Sequence, residues 1–297
     1  MNDKFNLQGK TCIVSGANSG IGKAAATALA KCNANVIMLC KNKERGQAAL
    51  EEIIHLSKNP NIRLMIADLS SQKSIRTFIS EFKSQYEHLH ILINNAANFD
   101  LTLKKPKLTE DGVETIFATN HLGPFLMTNL LIDKLKASAP ARIINIASKG
   151  LVLFPFLNIE FDNLNGDKRF SATHSYYHSK LAQVMFSYEL ANRLNNTGVT
   201  VNCIRVTNVA LSDERIKGQL KIAQSFYRQV KRRISITPER MAEAYLHLAA
   251  SPDLVNVSGK YFDEYSKQVS SSKNSYNKEV WEKLWDISIK LVHLDTE

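Results

Sequence analysis

The chain predicts a single doubly wound α/β fold, a parallel sheet with helices packed on both of its faces. Three observations predict it. Short β-branched runs alternate with longer amphipathic stretches through the first 150 residues, and strand–helix–strand repetition of this kind implies right-handed crossovers. A cluster of glycines falls at the first strand-to-helix turn. No linker, low-complexity tract or repeat divides the 297 residues, so 1–297 is read as one domain.

The elements follow in order. "TCIVSG" (11–16) and "ANVIMLC" (34–40) read as buried strands, as do "IRLMIAD" (62–68), "LHILINN" (89–95) and "ARIINIAS" (141–148). Between them lie "GIGKAAATALAKC", "KERGQAALEEIIHLS", "SQKSIRTFISEFKSQY" and "GVETIFATNHLGPFLMTNLLIDKLKA". Each has apolar residues at three- and four-residue steps and the length of a helix. A helix over about 176–195 and a strand over 199–206 continue the pattern. Thr237 and Pro238 form an N-cap and first-turn pair that opens the helix "ERMAEAYLHLAA". A short strand "GKYFD" and an apolar-striped helix over 280–291 complete the chain. Two segments stand outside the alternation: an insertion near 149–175 and a loop or helix segment near 207–236.

Composition narrows the functional classes. The hydrophobic fraction of 44% and charged fraction of 22% are those of a globular protein able to bury a core. "MNDKFNLQGK" lacks a signal-peptide core, and no run approaches the ~18 apolar residues a membrane span needs, so a soluble cytoplasmic protein is expected. Cys12, Cys32, Cys40 and Cys203 show no C-x-x-C spacing and read as small buried hydrophobes, with no metal site. The net charge of +10 is spread along the chain, with one cluster at Lys231, Arg232 and Arg233 that reads as a solvated helix face. No dense basic face with interleaved aromatics points to nucleic acid.

"VSGANSGIGKAAA" places Gly16, Gly20 and Gly22 after a strand and at the opening of a helix. In a Rossmann-type fold such glycines serve a tight turn, close backbone approach to a pyrophosphate, and close helix packing. The helix start behind them offers free N–H groups to the phosphates. Asn18, Ser19 and Ile21 complete the expected cofactor loop. The end of the second strand reads "LCKNKER", where a NAD site places a carboxylate. Cys40 and Lys41 stand there instead, with Lys43 and Arg45 nearby, so NADP(H) is expected over NAD(H), with Lys41 on the 2′-phosphate.

"SYYHSK" holds Tyr176 four positions ahead of Lys180, and "FYRQVK" repeats the spacing with Tyr227 and Lys231. Positions i and i+4 share a helix face. A lysine ammonium there favours the phenolate and draws a tyrosine pKa down from ~10 toward the range useful for proton transfer. Position separates the two pairs. The 176–195 helix follows the fifth strand, so its start can lie beside the carboxyl ends of the strands, where such sheets bind ligands. Tyr227 lies in a basic segment after the sixth strand. Tyr177 reads as a pocket or packing residue, and His174 with His178 as pocket-edge residues.

The spacing G-x-x-x-G-x-G, with "DLSS", "NNAA", "NHLGPF", "YYHSKLA" and "GKYF", resembles the short-chain dehydrogenase/reductase family, nearest its retinol-dehydrogenase-like members. The resemblance covers nearly the whole chain. It implies Tyr176 as proton donor, Lys180 as its partner and on the ribose hydroxyls, with both residues also touching the cofactor, Ser148 on the substrate oxygen, and Asn120 holding a water in the proton relay. It also implies Asp68 and Leu69 beside the adenine, Asn94 and Ala96 along the adenosine, Val209 among the cofactor contacts, and a homodimer or homotetramer. Two departures stand out. The 149–175 insertion contains apolar "LVLFPFLNIEF", which suits either a substrate wall or core packing. After strand six, Val206 and Thr207 replace the family's Pro-Gly, Leu211 replaces a threonine, and Ser212 stands nearby as a substitute. The expected function is therefore an NADP(H)-dependent interconversion of a carbonyl and an alcohol on an apolar small molecule. The altered "VTNVALS" motivates the alternative, an NADP(H)-binding sensor without turnover.

Overall fold

β1 (Thr11–Ser15) is buried at every position, and it lies between β2 (Asn35–Cys40) and β4 (Ile91–Asn94) in a parallel sheet. The structure is a computed structural model and describes residues 5–209 and 235–294. With β3 (Ile62–Ile66), β5 (Ala141–Ser148), β6 (Val199–Val206) and β7 (Lys260–Phe262), the strand order is β3-β2-β1-β4-β5-β6-β7, every pairing parallel. The order reverses between β1 and β4, which opens a crevice at the carboxyl ends of those two strands.

Side-chain alternation splits the core into two layers. Ile13, Ile37 and Ile143 face one side with α3 (Gln72–Gln85), α5 (Gly123–Leu130) and α7 (Ala172–Arg193). Cys12, Val14 and Ile144 face the other with α1 (Gly20–Lys31), α2 (Lys43–Ser57) and α8 (Pro238–Ala250). Burial on both faces is why these strands read as continuous apolar runs. All four cysteines are free and buried. No described helix is long and apolar enough to cross a membrane.

The expected helix over 112–137 is not one helix. It divides into α4 (Thr115–Phe117), a π-helical turn (Ala118–Leu122), α5, and α6 (Ile132–Ala137). Pro124 offers no N–H to the Asn120 carbonyl four residues earlier, which removes one α-helical bond. Gly123 also lies hard against the loop after β3, where a Cβ would stand 2.3 Å from the Leu69 carbonyl oxygen. α7 begins four residues before its expected start, because Ser171 caps it by accepting from the His174 N–H.

A terminal helix, α9 (Lys278–Leu291), packs on α7 and α5. Its Trp285 ring meets Phe125 edge-on at 4.9 Å and carries the Arg193 guanidinium at 4.2 Å, while the Trp281 indole N–H donates to the Ser275 carbonyl at 2.6 Å.

Candidate active site

The glycine loop is built by backbone. Gly16 (φ +69°) and Gly20 (φ +56°) take left-handed conformations that side chains disfavour. A Cβ on Gly22 would sit 2.3 Å from the Gly16 carbonyl oxygen, so α1 starts as close to the loop as a glycine permits. A Cβ on Gly20 would meet nothing within 4 Å, which leaves open space in front of the α1 start. Ser19 makes no side-chain cap there and the first turn holds no acidic residue. The first N–H groups of α1 thus face that space with the positive end of the helix dipole, a donor set that suits a pyrophosphate. Asn18 and Ile21 flank this turn. The loop is also anchored from outside. Asn95 Nδ2 donates to the Ser15 carbonyl at 2.8 Å, and the Ser15 hydroxyl accepts from the Asn95 and Ala96 N–H groups at 3.0 Å. Ser15 and Asn95 were not singled out from sequence, because their bonds cross some eighty residues of chain.

At the adenosine side, Lys41 is largely exposed (72%) and its ammonium pairs with Asp68 at 2.7 Å. Asp68 also accepts from the Ser70 N–H and hydroxyl. Burial raises its carboxyl pKa, but the bonds from Lys41 and Ser70 outweigh that and hold it below its ordinary value. Asn42 caps α2 by accepting from the Arg45 N–H, and the side chains of Lys43 and Arg45 are exposed. Leu69 is buried. The Asn94 side chain lies inside the sheet, donating to Thr128 Oγ1 at 3.0 Å and Asn145 Oδ1 at 2.7 Å.

The catalytic candidates converge at the ends of β4 and β5. The Ser148 hydroxyl lies beside the Tyr176 phenol, near enough to favour its ionised form. Lys180 lies one turn along α7 with Nζ 5.8 Å from the Tyr176 ring centre, and it donates to the Ile146 carbonyl at 2.8 Å. Asn120, in the π-helical turn, is fully buried. It accepts from the Asn98 N–H at 2.6 Å and donates to the Asn98 carbonyl and to Ser179 Oγ, both at 3.0 Å. One expectation needs correction. Lys180 does not pull the Tyr176 pKa down in this structure. Burial dominates and pushes the phenol up to about 12, with the neighbouring Ser148 hydroxyl offsetting part of the rise. Burial likewise pushes the Lys180 ammonium down to about 8.

The insertion is stitched onto α7. His178 Nε2 accepts from the Glu160 N–H at 2.9 Å, and the Glu160 carboxylate meets His174 at 3.2 Å and Arg169. Gly150 lies against Tyr177, whose ring packs 4.5 Å from that of Phe154. The segment divides between core and surface. Leu151 and Ile159 are buried, whereas Leu153 and Phe156 are exposed, Phe156 at 88%. Phe99, which sequence reading passed over, meets the Tyr176 ring edge-on with ring centres 4.5 Å apart, beside the Asn98 that Asn120 grips. Beyond β6, Val209 bridges in parallel to Ile236. Leu211, Ser212, the Tyr227–Lys231 pair and the basic 228–233 cluster lie outside the described residues.

Comparison with known proteins agrees with this geometry. The family profile described as short chain dehydrogenase matches residues 10–217. The chain is 38% identical over 296 residues to retinol dehydrogenase 12 of Mus musculus, covering 98% of this chain and 89% of that one. It is 40% identical over 301 residues to retinol dehydrogenase 13 of Homo sapiens, covering 98% and 87%. A crystal structure of an uncharacterized protein from Mycobacterium paratuberculosis superposes with a TM-score of 0.73 at 24% identity, covering 97% and 96%, which speaks to the fold.

Proposed function

We propose that this chain, which belongs to the short-chain dehydrogenase family, is an NADP(H)-dependent oxidoreductase that interconverts a carbonyl and an alcohol on an apolar small molecule. The observation that carries the reading is the Tyr176 phenol beside Ser148 at the end of β5, with the Lys180 ammonium one helical turn behind it and 5.8 Å from the ring centre. Retinol dehydrogenase relatives over nearly the full length support the same chemistry.

The residues divide the work as follows. Gly16, Gly20 and Gly22, with Asn18, Ser19 and Ile21, would hold the pyrophosphate against the α1 start. Lys41 and Arg45 would meet a 2′-phosphate, with Asp68, Leu69 and Ala96 along the adenosine. Asn94 would act through the strand that its buried side chain fixes, and Val209 would border the nicotinamide. Such a cofactor supplies hydride to a carbonyl carbon when bound. As negative charge grows on the substrate oxygen, Ser148 stabilises it and Tyr176 Oη delivers a proton. At neutral pH the phenol holds the proton that reduction requires, and because burial raises it to about 12 its release depends on the charge growing on the substrate oxygen. Lys180, lowered to about 8, sits near the pH at which proton exchange is efficient. Asn120 fixes Asn98 and, through Ser179, the Tyr176 turn.

The test is a fluorescence titration with NADPH and NADH followed by a screen of apolar ketones and aldehydes. NADPH should bind more tightly than NADH. Tyr176→Phe should lose about 10²- to 10⁴-fold in turnover while keeping its NADPH affinity. Retained turnover in Tyr176→Phe sinks the catalytic assignment.

A further inference from the structure

"SYYHSK" contains a second pair beside Tyr176 and Lys180. Ser175 and Ser179 also stand four apart, each one residue ahead of a member of the first pair, so they define the neighbouring face of α7. Both reach the same partner segment. Ser179 Oγ accepts from Asn120 Nδ2 at 3.0 Å, and the Ser175 hydroxyl donates to Glu114 Oε2 at 2.5 Å. These are two rungs between the start of α7 and the segment formed by α4 and the π-helical turn.

Glu114 is the unusual member. It is 1% exposed. Its Oε1 accepts from the Ile116 N–H at 2.9 Å and its Oε2 from the Phe117 N–H at 3.0 Å, so the carboxyl caps α4. Its own N–H donates to Asn165 Oδ1 at 3.4 Å, which ties the insertion to the same point. A glutamate is a poor choice for a cap where Ser, Thr, Asp or Asn would serve. Burying a carboxyl is costly unless every lone pair is used. The longer side chain does something a shorter cap cannot: it caps one helix and takes the hydroxyl of another.

We propose that Glu114 and Ser175 are positioning residues for the proton-transfer step. Their rung holds the first turns of α7, and with them Tyr176 Oη, in register with Ser148 and with the Asn120 turn. The proposal rests on the catalytic reading given above. The mechanical reason is that Tyr176 sits in the second turn of α7, where the two rungs to the α4 segment add to the Ser171 cap and to the insertion contacts of His174, Tyr177 and His178 in opposing fraying. Displacement of a reacting group by about 1 Å costs up to about 10²-fold in rate.

The experiment compares full-length wild type with Ser175→Ala, Ser175→Thr and Glu114→Gln, in steady-state carbonyl reduction, NADPH titration and thermal unfolding. Ser175→Ala should lower kcat about ten-fold with substrate KM, NADPH affinity and thermal midpoint little changed. Ser175→Thr keeps the hydroxyl and should restore kcat. Glu114→Gln, whose amide NH2 cannot accept from both α4 cap N–H groups, should lower kcat and also weaken the α4 cap, so its thermal midpoint falls more than that of Ser175→Ala. Wild-type kcat in Ser175→Ala overturns the proposal. So does a kcat loss there matched by equal losses in NADPH affinity and thermal midpoint, or a Ser175→Thr as slow as Ser175→Ala. If wild type binds NADPH yet reduces no carbonyl, the catalytic reading falls and takes this proposal with it. Wild-type turnover that ignores Ser175→Ala fells the proposal alone.

Discussion

The two halves of the sheet's carboxyl edge are made differently. On the β1–β2 side the chain turns into its helices within a few residues, at 16–19 and 41–42, and the site there is backbone: left-handed glycines, an uncapped helix start and close packing. On the β4–β5 side the connections are long, at 95–114 and 149–171, and the site is side chains brought together across the fold. The difference teaches which kind of damage each half feels. A backbone site tolerates surface changes and fails when a Cβ is added. A side-chain site fails one hydroxyl at a time.

The strongest attempt to break this contrast is Gly22→Ala. Its new Cβ would stand 2.3 Å from the Gly16 carbonyl and 2.5 Å from Asn95 Nδ2. Overpacking against backbone costs about 1–3 kcal/mol. We expect NADPH affinity to fall by at least about ten-fold, which corresponds to 1.4 kcal/mol. Titration of the variant checks it, and unchanged binding would mean that the loop is not the rigid backbone device described.

A second effect, on stability rather than binding, comes from pH, and it separates the halves because the histidine that anchors the insertion lies on the side-chain half. Burial pushes the His178 pKa down to about 4 from 6.5. The folded state therefore binds fewer protons than the unfolded state between those values, and stability falls as pH drops from 6.5 toward 4. His90 and His121 are pushed by burial in the same direction, to about 4 and about 3. The His178 share is on the order of 3 kcal/mol by the linkage relation. Thermal midpoints across this window should fall in wild type. They should fall less steeply in His178→Asn, which starts lower at neutral pH because Glu160 loses its acceptor.

The smallest expected effect sharpens the backbone half. Lys41 is exposed and already paired with Asp68. Exposed ion pairs contribute about 1 kcal/mol or less. Lys41→Met should therefore lower the preference for NADPH over NADH by only a few-fold, read as a ratio of two titrations. A complete loss of preference would make Lys41 the dominant contact, with Arg45 idle.

How much could be read in advance follows the same division. The strands and most helices were legible because their signals are local: buried strands are continuous apolar runs, and α2 occupies the very stretch its periodicity marks. The Tyr176–Lys180 pair and the glycine turn are also short-range patterns. What escaped is long-range or depends on how one helix meets another segment. Asn95 gripping Ser15, Glu114 taking Ser175 and Phe99 against Tyr176 leave no periodic trace. The break at 118–122 hides in a stretch whose apolar spacing is helical throughout. Pro124 was its one visible signal, since a proline inside a helical pattern ends or kinks it. The expected drop in the Tyr176 pKa failed for a further reason. Spacing reports neighbours along a helix, whereas the loss of water around a phenol depends on everything packed over it.

The placement of α9 has an optical consequence. The chain has two tryptophans, and both stand on this helix. Trp285 is wedged against Phe125 and Phe186 under the Arg193 guanidinium, on the α7 turns that follow Lys180. All indole emission from the protein therefore originates at one seam, and the seam borders the helix that carries Tyr176. If α9 lifts off before the sheet opens, the emission shifts to the red while the backbone signal stays in place. A label-free spectrum thus separates the detachment of one helix from the melting of the whole.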